Sequence, residues 1–431
     1  MKKVLIITYY WPPSGGAGVQ RWLKFVKYLP GYDVEPIVLT VDPEYASYPQ
    51  IDSGLADNVP AGTRIFRTRS FEILNIISGF LGKDKVPYGG FSNVPRKNLF
   101  HTLLRFIRGN FFIPDARTGW IRFAVKKARE IIKLHEIDTI ITTGPPHSTH
   151  IVGLRLKNKL NVKWIADFRD PWTDIYYYSD MLHSPVAKMI DRAKERNVLA
   201  LADKVIAVNK SVGKLLATKI DDAKKDKFTV ITNGYDEDDF DIEPRPSGEF
   251  VITYSGSLSE NYSPEVFFKS LSEIVKKHPG ISFRFRLAGY ISSGVEQVLK
   301  NYGLHRIFEY HGYVDHAKLP RLLKSSTILL YIFPETGGKY TGSSGKLYEY
   351  LAACRPVIAI DSPHSDAAAI IEECQAGKTF LRDNHEGIRD YIEHLIGEYK
   401  KAGEVRSGNG LHTNYSRRKL TGKLSRLIGD L

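Results

Sequence analysis

The chain has 431 residues, 42% hydrophobic and 25% charged, a globular composition on a chain too long for one ordinary core. Its 61 basic and 48 acidic residues leave a formal charge of +13, which favours contact with nucleic acid, acidic lipid or phosphorylated ligands. Cys354 and Cys374 are too few for a disulfide framework and lack metal-ligand spacing, so a reducing cytoplasm is expected.

Short β-rich runs alternate with helical patterns from the first residues. VLIITYY (4–10) is too short an apolar run for a signal sequence, and no later run reaches the ~20 residues that span a bilayer. Strands are predicted at 4–10, 34–40, 64–68, 138–143, 163–168, 204–208 and 228–232, with helices at 18–29, 117–135, 147–160, 185–201 and 210–219. An acid- and Pro-rich stretch, 233–250, reads as a linker. The alternation then restarts, with strands at 250–258, 281–289, 307–312, 327–333 and 356–360. Helices between and after them are predicted at 263–277, 292–302, 316–324, 345–353 and 365–374. The last segment, 414–431, reads as a basic amphipathic helix. The pattern predicts an α/β protein of two Rossmann-like domains, 1–240 and 241–410, with a C-terminal helix, 411–431, packing back on the first. Ligands of open parallel sheets bind beyond the carboxyl ends of the strands, so a cleft between two facing domains is the expected site.

Several segments carry chemistry at such ends. WPPSGGAGVQRW places Gly15, Gly16 and Gly18 before a helix, where the backbone approaches a ligand closely and free N–H groups meet an anion. Read as a dinucleotide fingerprint with Asp42 as the ribose acid, it would support a nicotinamide oxidoreductase. Arg21 stands at its third glycine position, however, where bulk spoils close helix–strand packing. TTGPPHSTH brings His147 and His150 to a strand end, His147 being the candidate contact to the transferred sugar or acceptor. DFRDPW brings Asp167, Arg169 and Asp170, which suit either an acceptor site or an internal ion-pair network. Asp236, Glu237 and Asp238 form a D-x-D string at an Asn-Gly turn, read as a solvated hinge, so no metal is expected. GKYTGSSGKLYEYLAACRPVIAID (338–361) leads a Gly/Ser loop into a helix, with Lys346 in its first turn and Glu349 one turn on. Such a loop offers N–H groups and an ammonium to phosphate, and a carboxylate to ribose hydroxyls. Stretch 95–133 interleaves Lys and Arg with bulky apolar residues, as an interfacial membrane segment does. No nucleic-acid-binding module is evident, and none is expected as a partner.

SSGKLYEYLAACRPVIA resembles the donor-site signature of the large retaining GT-B family that includes sucrose synthases, mannosyltransferases and bacterial surface-polysaccharide transferases. GGAGVQ, TGPPHSTH, DFRDPW, ITNGYDEDDF, YSGSL and FEYHGYVDHAKLPRLLKSSTILLYIFP fall in that family's order, and the likeness spans residues 1–428. The resemblance implies a GT-B glycosyltransferase that moves a sugar from a nucleotide-diphosphate sugar with retention; no metal or cofactor is expected. The acceptor would be a glycan or lipid-linked saccharide of surface-polysaccharide synthesis. The enzyme would sit in the cytoplasm, peripherally on the anionic inner face of the membrane. It further implies donor contacts at Gly256, Ser257, Tyr313, Val314, Ser344, Gly345, Lys346 and Glu349, with catalytic roles for His147, Lys346 and Asp170. Ser257 and Tyr262 replace the family's usual Arg and Lys, and Thr341 one of its paired carboxylates, so Lys346 is expected to take over the diphosphate charge in a Lys-x-x-Glu-Tyr branch. A nucleotide-sugar epimerase on the same scaffold and a non-catalytic sugar-binding subunit are the alternatives.

Overall fold

The computed structural model describes residues 1–49, 51–72, 99–221, 226–243, 248–334 and 342–431. Thr341, with 338–340 of the Gly/Ser segment, 95–98 of the basic stretch and 244–247 of the linker, lies outside them. The chain divides into two compact units, Met1–Thr232 with Thr421–Leu431, and Asn233–Leu420.

The first unit runs β1 (Lys2–Ile7), α1 (Ala17–Tyr28), β2 (Val34–Val41), β3 (Arg64–Thr68), α2 (Leu99–Phe111), α3 (Ile121–His135) and β4 (Thr139–Gly144). It continues through α4 (Ser148–Lys157), β5 (Lys163–Phe168), α5 (Pro185–Leu201), β6 (Lys204–Ala207), α6 (Lys210–Ala217) and β7 (Phe228–Val230). The strands form one parallel sheet in the order β3-β2-β1-β4-β5-β6-β7. Val4 to Ile7 are all buried; successive side chains point to opposite faces, so both faces of the sheet are covered. Strand order reverses between β1 and β4. Their carboxyl ends, Ile7 and Gly144, therefore lie at the topological switch point.

The second unit contains β8 (Phe250–Ser255), α7 (Glu265–Lys277), β9 (Phe283–Ala288), α8 (Ser293–Asn301), β10 (Phe308–Gly312), α9 (Leu319–Lys324) and β11 (Ile328–Ile332). It closes with α10 (Gly345–Ala353), β12 (Val357–Ile360), α11 (Asp366–Glu373), β13 (Gly377–Phe380), α12 (His385–Ala402) and α13 (Arg417–Gly429). Its parallel sheet has the order β10-β9-β8-β11-β12-β13, so the switch point lies at Ser255 and Ile332. Ser184, Asn209, Ser292 and Ser365 cap the starts of α5, α6, α8 and α11 through their side-chain oxygens.

The two doubly wound units match the predicted fold class. Three elements were not predicted. β13 is a four-residue edge strand that buries only Phe380, too short to show a period. Gly377 lets it pass: a Cβ there would lie 2.0 Å from the Val357 carbonyl oxygen. α12 packs its Ile388, Ile392, Leu395 and Ile396 stripe into the core of the second unit. α2 falls inside the stretch read as one basic segment. The hinge reading is also corrected: Asp236 is buried and accepts from the Asp238 N–H at 3.4 Å, capping a 3-10 turn that seats Phe240. The end of α13 belongs to the first unit, where Lys2 Nζ donates to the Ile428 carbonyl at 2.8 Å.

Candidate functional site

In the second unit the segment after β8 and the start of α10 meet at the switch point. Gly256 adopts φ +107 and its N–H is spent on the Ala288 carbonyl, 2.7 Å away. A Cβ at Gly256 would lie 3.7 Å from Lys346 Nζ, which places the ammonium against this turn. Lys346 Nζ donates to Tyr254 Oη at 2.7 Å, and Tyr254 in turn donates to the Ser257 carbonyl at 2.8 Å. The ammonium sits over the Tyr254 ring at 4.2 Å, with Tyr262 and Tyr331 at 5.4 and 5.8 Å. Part of the side chain reaches solvent, but burial of the ammonium pushes its pKa down to about 7, with Glu349 opposing the shift. The Ser344 N–H bonds Tyr331 Oη at 3.2 Å, and no side chain caps α10, which leaves the first N–H groups of Gly345 and Lys346 without intrahelical partners.

Glu349 lies one turn along α10, half-buried, with His316 Nε2 3.4 Å from its carboxylate. His316 follows Tyr313, which is exposed, and Val314, which is half-buried, in the loop after β10. The structure thus joins Gly256, Ser257, Ser344, Gly345, Lys346 and Glu349, and connects the Tyr313–Val314 loop to them through His316. Chemically, this is a cation on an aromatic bed, an uncapped helix start and an accessible carboxylate.

In the first unit three of the motifs converge at the switch point. Gly16, at φ +104, starts α1 beside Gly15; a Cβ at Gly18 would sit 1.4 Å from Arg169 Nη1. The Arg169 guanidinium therefore lies over the glycine loop, and it also donates to the Pro145 carbonyl. Asp170 follows, its carboxyl raised to about 6 by burial, with Arg169 pulling the other way. His147 stacks on Trp172, ring centroids 4.6 Å apart and nearly parallel, and its Nδ1 has no hydrogen-bond partner among the described residues. His150 stacks on Phe168 and bonds Thr142 Oγ1 at 2.8 Å; burial holds it near 3 and His147 well below the ordinary histidine value. Both rings are neutral at physiological pH. Gly144 is what lets them approach, since its Cβ would lie 2.6 Å from His150 Nε2.

Asp167 turns away from this surface. It is fully buried and accepts from Arg21 at 2.8 and 3.2 Å, Trp22 Nε1 at 2.8 Å and Thr143 Oγ1 at 2.9 Å. Burial raises its pKa, but Arg21, Trp22 and Arg169 together outweigh that and hold the carboxyl below the usual carboxylate range. Arg21 does not spoil the packing of α1, as its bulk suggested: fully buried, it also reaches the Ile231 and Thr232 carbonyls. Sequence reading passed over Trp172, Asp191 and Glu195. Trp172 Nε1 and Tyr178 Oη donate to the two Asp191 oxygens at 2.8 and 2.9 Å, while Thr173 Oγ1 donates to Glu195 at 2.6 Å. The one available signal was acids four apart on α5, which read equally well as a solvated face.

Residues 249–398 match the family model described as glycosyl transferases group 1, and residues 90–239 that of glycosyltransferase family 4. The chain is a GT-B glycosyltransferase. Solved structures of similar fold include the sucrose-phosphate synthase of Thermosynechococcus elongatus, at 14% identity and TM-score 0.63, covering 100% of this chain and 99% of that one. The lipopolysaccharide outer core galactosyltransferase WaaB matches at 12% identity and TM-score 0.59, over 99% of both chains. The UDP-GlcNAc 2-epimerase of Methanocaldococcus jannaschii matches at 11% and 0.54, over 100% of both. No curated protein matches in sequence. In this glycosyltransferase the group 1 segment holds Lys346 and Glu349, and the family 4 segment holds His147, Arg169 and Asp170. Among the described residues, no group of three or more His, Cys, Asp or Glu could hold a metal ion, and no helix is long and apolar enough to cross a membrane.

Proposed function

We propose that this glycosyltransferase moves a sugar from a nucleoside-diphosphate sugar to a glycan or lipid-linked acceptor in surface-polysaccharide synthesis, with retention of anomeric configuration and without a metal. The observation that carries the donor assignment is Lys346 Nζ set against the Gly256 turn, with Glu349 one helical turn away. As the donor bond breaks, negative charge builds on the diphosphate. Lys346 and the N–H groups at the start of α10 meet it in a partly desolvated place, where fixed donors count most. Because the Gly256 and Ser344 N–H groups are already bonded, Lys346 carries most of this charge. Glu349 accepts from the ribose hydroxyls, with the Tyr313–Val314 loop on the nucleobase side.

In the first unit Arg169, Asp170, His147 and the Gly15–Gly18 loop hold the acceptor and the transferred sugar. His147 is too weak a base to deprotonate an acceptor hydroxyl, which supports same-face attack with the departing phosphate oxygen taking that proton. The enzyme works on the cytoplasmic face of the membrane, attached peripherally. Turnover with UDP-, GDP-, TDP- and ADP-sugars, with and without a saccharide acceptor, tests the reading. Nucleoside diphosphate should appear only with acceptor, and NMR of the product should show the donor's anomeric configuration. Release without acceptor would favour the epimerase reading, to which the epimerase-like fold gives some support.

A further inference from the structure

On α2 the basic stretch does not present the cations that the sequence suggested, whereas Arg122, Lys126, Arg129 and Lys133 of α3 are exposed. Arg105 is buried, and burial lowers the Arg108 pKa, while the outward side of α2 carries apolar residues: Leu103, Phe106 and Phe111, the last 73% exposed. Phe106 and Asn110 lie one turn apart on the same side of α2. Asn110 grips the start of α5, donating to the Leu182 carbonyl at 3.1 Å and accepting from the Ser184 N–H at 2.8 Å. The exposed side of α2 therefore continues onto α5.

There Val186, Met189 and Ile190 stand exposed at helical spacing, Met189 by 65%. Exposed Lys188, Arg192 and Arg196 line the next strip of the same helix. The two acids of α5, Asp191 and Glu195, are each 1% exposed and spent on Trp172, Tyr178 and Thr173. α2 contains no acid. The helix pair thus shows water an apolar strip flanked by cations and free of carboxylates. Water-facing helices of globular proteins ordinarily mix both charge signs and keep bulky apolar groups inside.

We infer that this α2–α5 face docks on an anionic lipid bilayer, with Phe106, Phe111, Val186, Met189 and Ile190 entering the acyl boundary and Lys188, Arg192 and Arg196 at headgroup level. A second copy of the chain fits less well, because it would bring like cations together without acids to pair them. This docking presupposes the lipid-linked acceptor proposed above and gives it a physical location: the first unit, which carries Arg169 and Asp170, is the unit held at the membrane.

The test is co-sedimentation of the full-length protein with phosphatidylglycerol-containing and pure phosphatidylcholine vesicles. Wild type should bind the anionic vesicles and keep part of that binding in 0.5 M salt (about three times physiological strength), since apolar insertion is not screened. The triple variant Val186→Ser, Met189→Ser, Ile190→Ser should bind about a thousandfold more weakly, each withdrawn side chain being worth roughly a factor of ten. The triple variant Lys188→Gln, Arg192→Gln, Arg196→Gln should lose binding mainly at low salt. Thermal midpoints and transfer to a short water-soluble acceptor should stay at wild-type values in both. Equal sedimentation of the apolar variant and wild type, absence of wild-type binding, or a dimer that the apolar variant dissolves would overturn the docking. If wild type transfers sugar in solution yet ignores vesicles, the docking alone fails; if it transfers none, the proposed function fails first.

Discussion

In the proposed reading Lys346 meets the donor's diphosphate and Glu349 its ribose, and substitution separates the two roles. Glu349→Gln should weaken nucleoside-diphosphate binding about tenfold, because a neutral amide accepts less strongly than a carboxylate. An unchanged Kd by calorimetry would remove the ribose assignment. Lys346→Ala should lower kcat by about two orders of magnitude, the usual loss when one preorganised donor is removed. Because burial sets the free ammonium near 7, the diphosphate should bind more weakly as pH rises above about 7, with proton uptake on binding. Lys346→Arg, charged throughout this range, should show a flat profile, and a sloping one would place the titrating group elsewhere. Tyr254 positions both the ammonium and the Ser257 carbonyl, so Tyr254→Phe should cost about tenfold in kcat. The fold should melt as before.

At the scale of elements, the first unit depends on α1 lying close enough for Arg169 to cross its start. Gly18→Ala places a methyl where the guanidinium runs, and overpacking of this kind costs about 1–3 kcal/mol. In an Arg169→Ala background the same change should be nearly free. Denaturant midpoints of the four proteins give the coupling energy, and strict additivity would show that the two residues do not meet. On α5, Asp191→Ala would leave the Trp172 N–H and Tyr178 O–H without their acceptor, an expected loss of about 2–4 kcal/mol in urea unfolding. Because Trp172 stacks on His147, activity should fall further than stability alone explains.

For the whole molecule, the charge relief proposed for Lys346 and the helix N–H groups implies that chelation leaves turnover intact. Activity lost in EDTA and restored by Mn²⁺ would mean that a cation shares the diphosphate charge. The proposed donor site lies in the second unit, which carries the group 1 match, so on that reading substitutions at His316 should change selectivity among nucleotide-sugars more than among acceptors. A variant that alters acceptor choice alone would assign that loop differently.

Much of the architecture follows from the sequence because parallel strands buried on both faces must be continuous apolar runs. The runs at Val4–Ile7, Ile328–Ile332 and Val357–Ile360 announce themselves without partners. The glycine positions and the Lys346–Glu349 spacing were legible for a related reason: a ligand loop must lead into a helix start. Signals shorter than a period were not legible, as with β13, nor were residues whose meaning depends on what they face. Arg21 reads as an obstacle until Asp167 and two carbonyls are found opposite it. The ammonium of Lys346 gains its low pKa from burial, and that burial exists only once the fold brings tyrosines 92, 84 and 15 residues earlier around it at one switch point. Helical periodicity gives the angle between Arg105 and Phe106 on α2, and between Asp191 and Met189 on α5, but not which of them turns inward. Burial decides that, and burial is a property of the folded neighbours rather than of the chain itself.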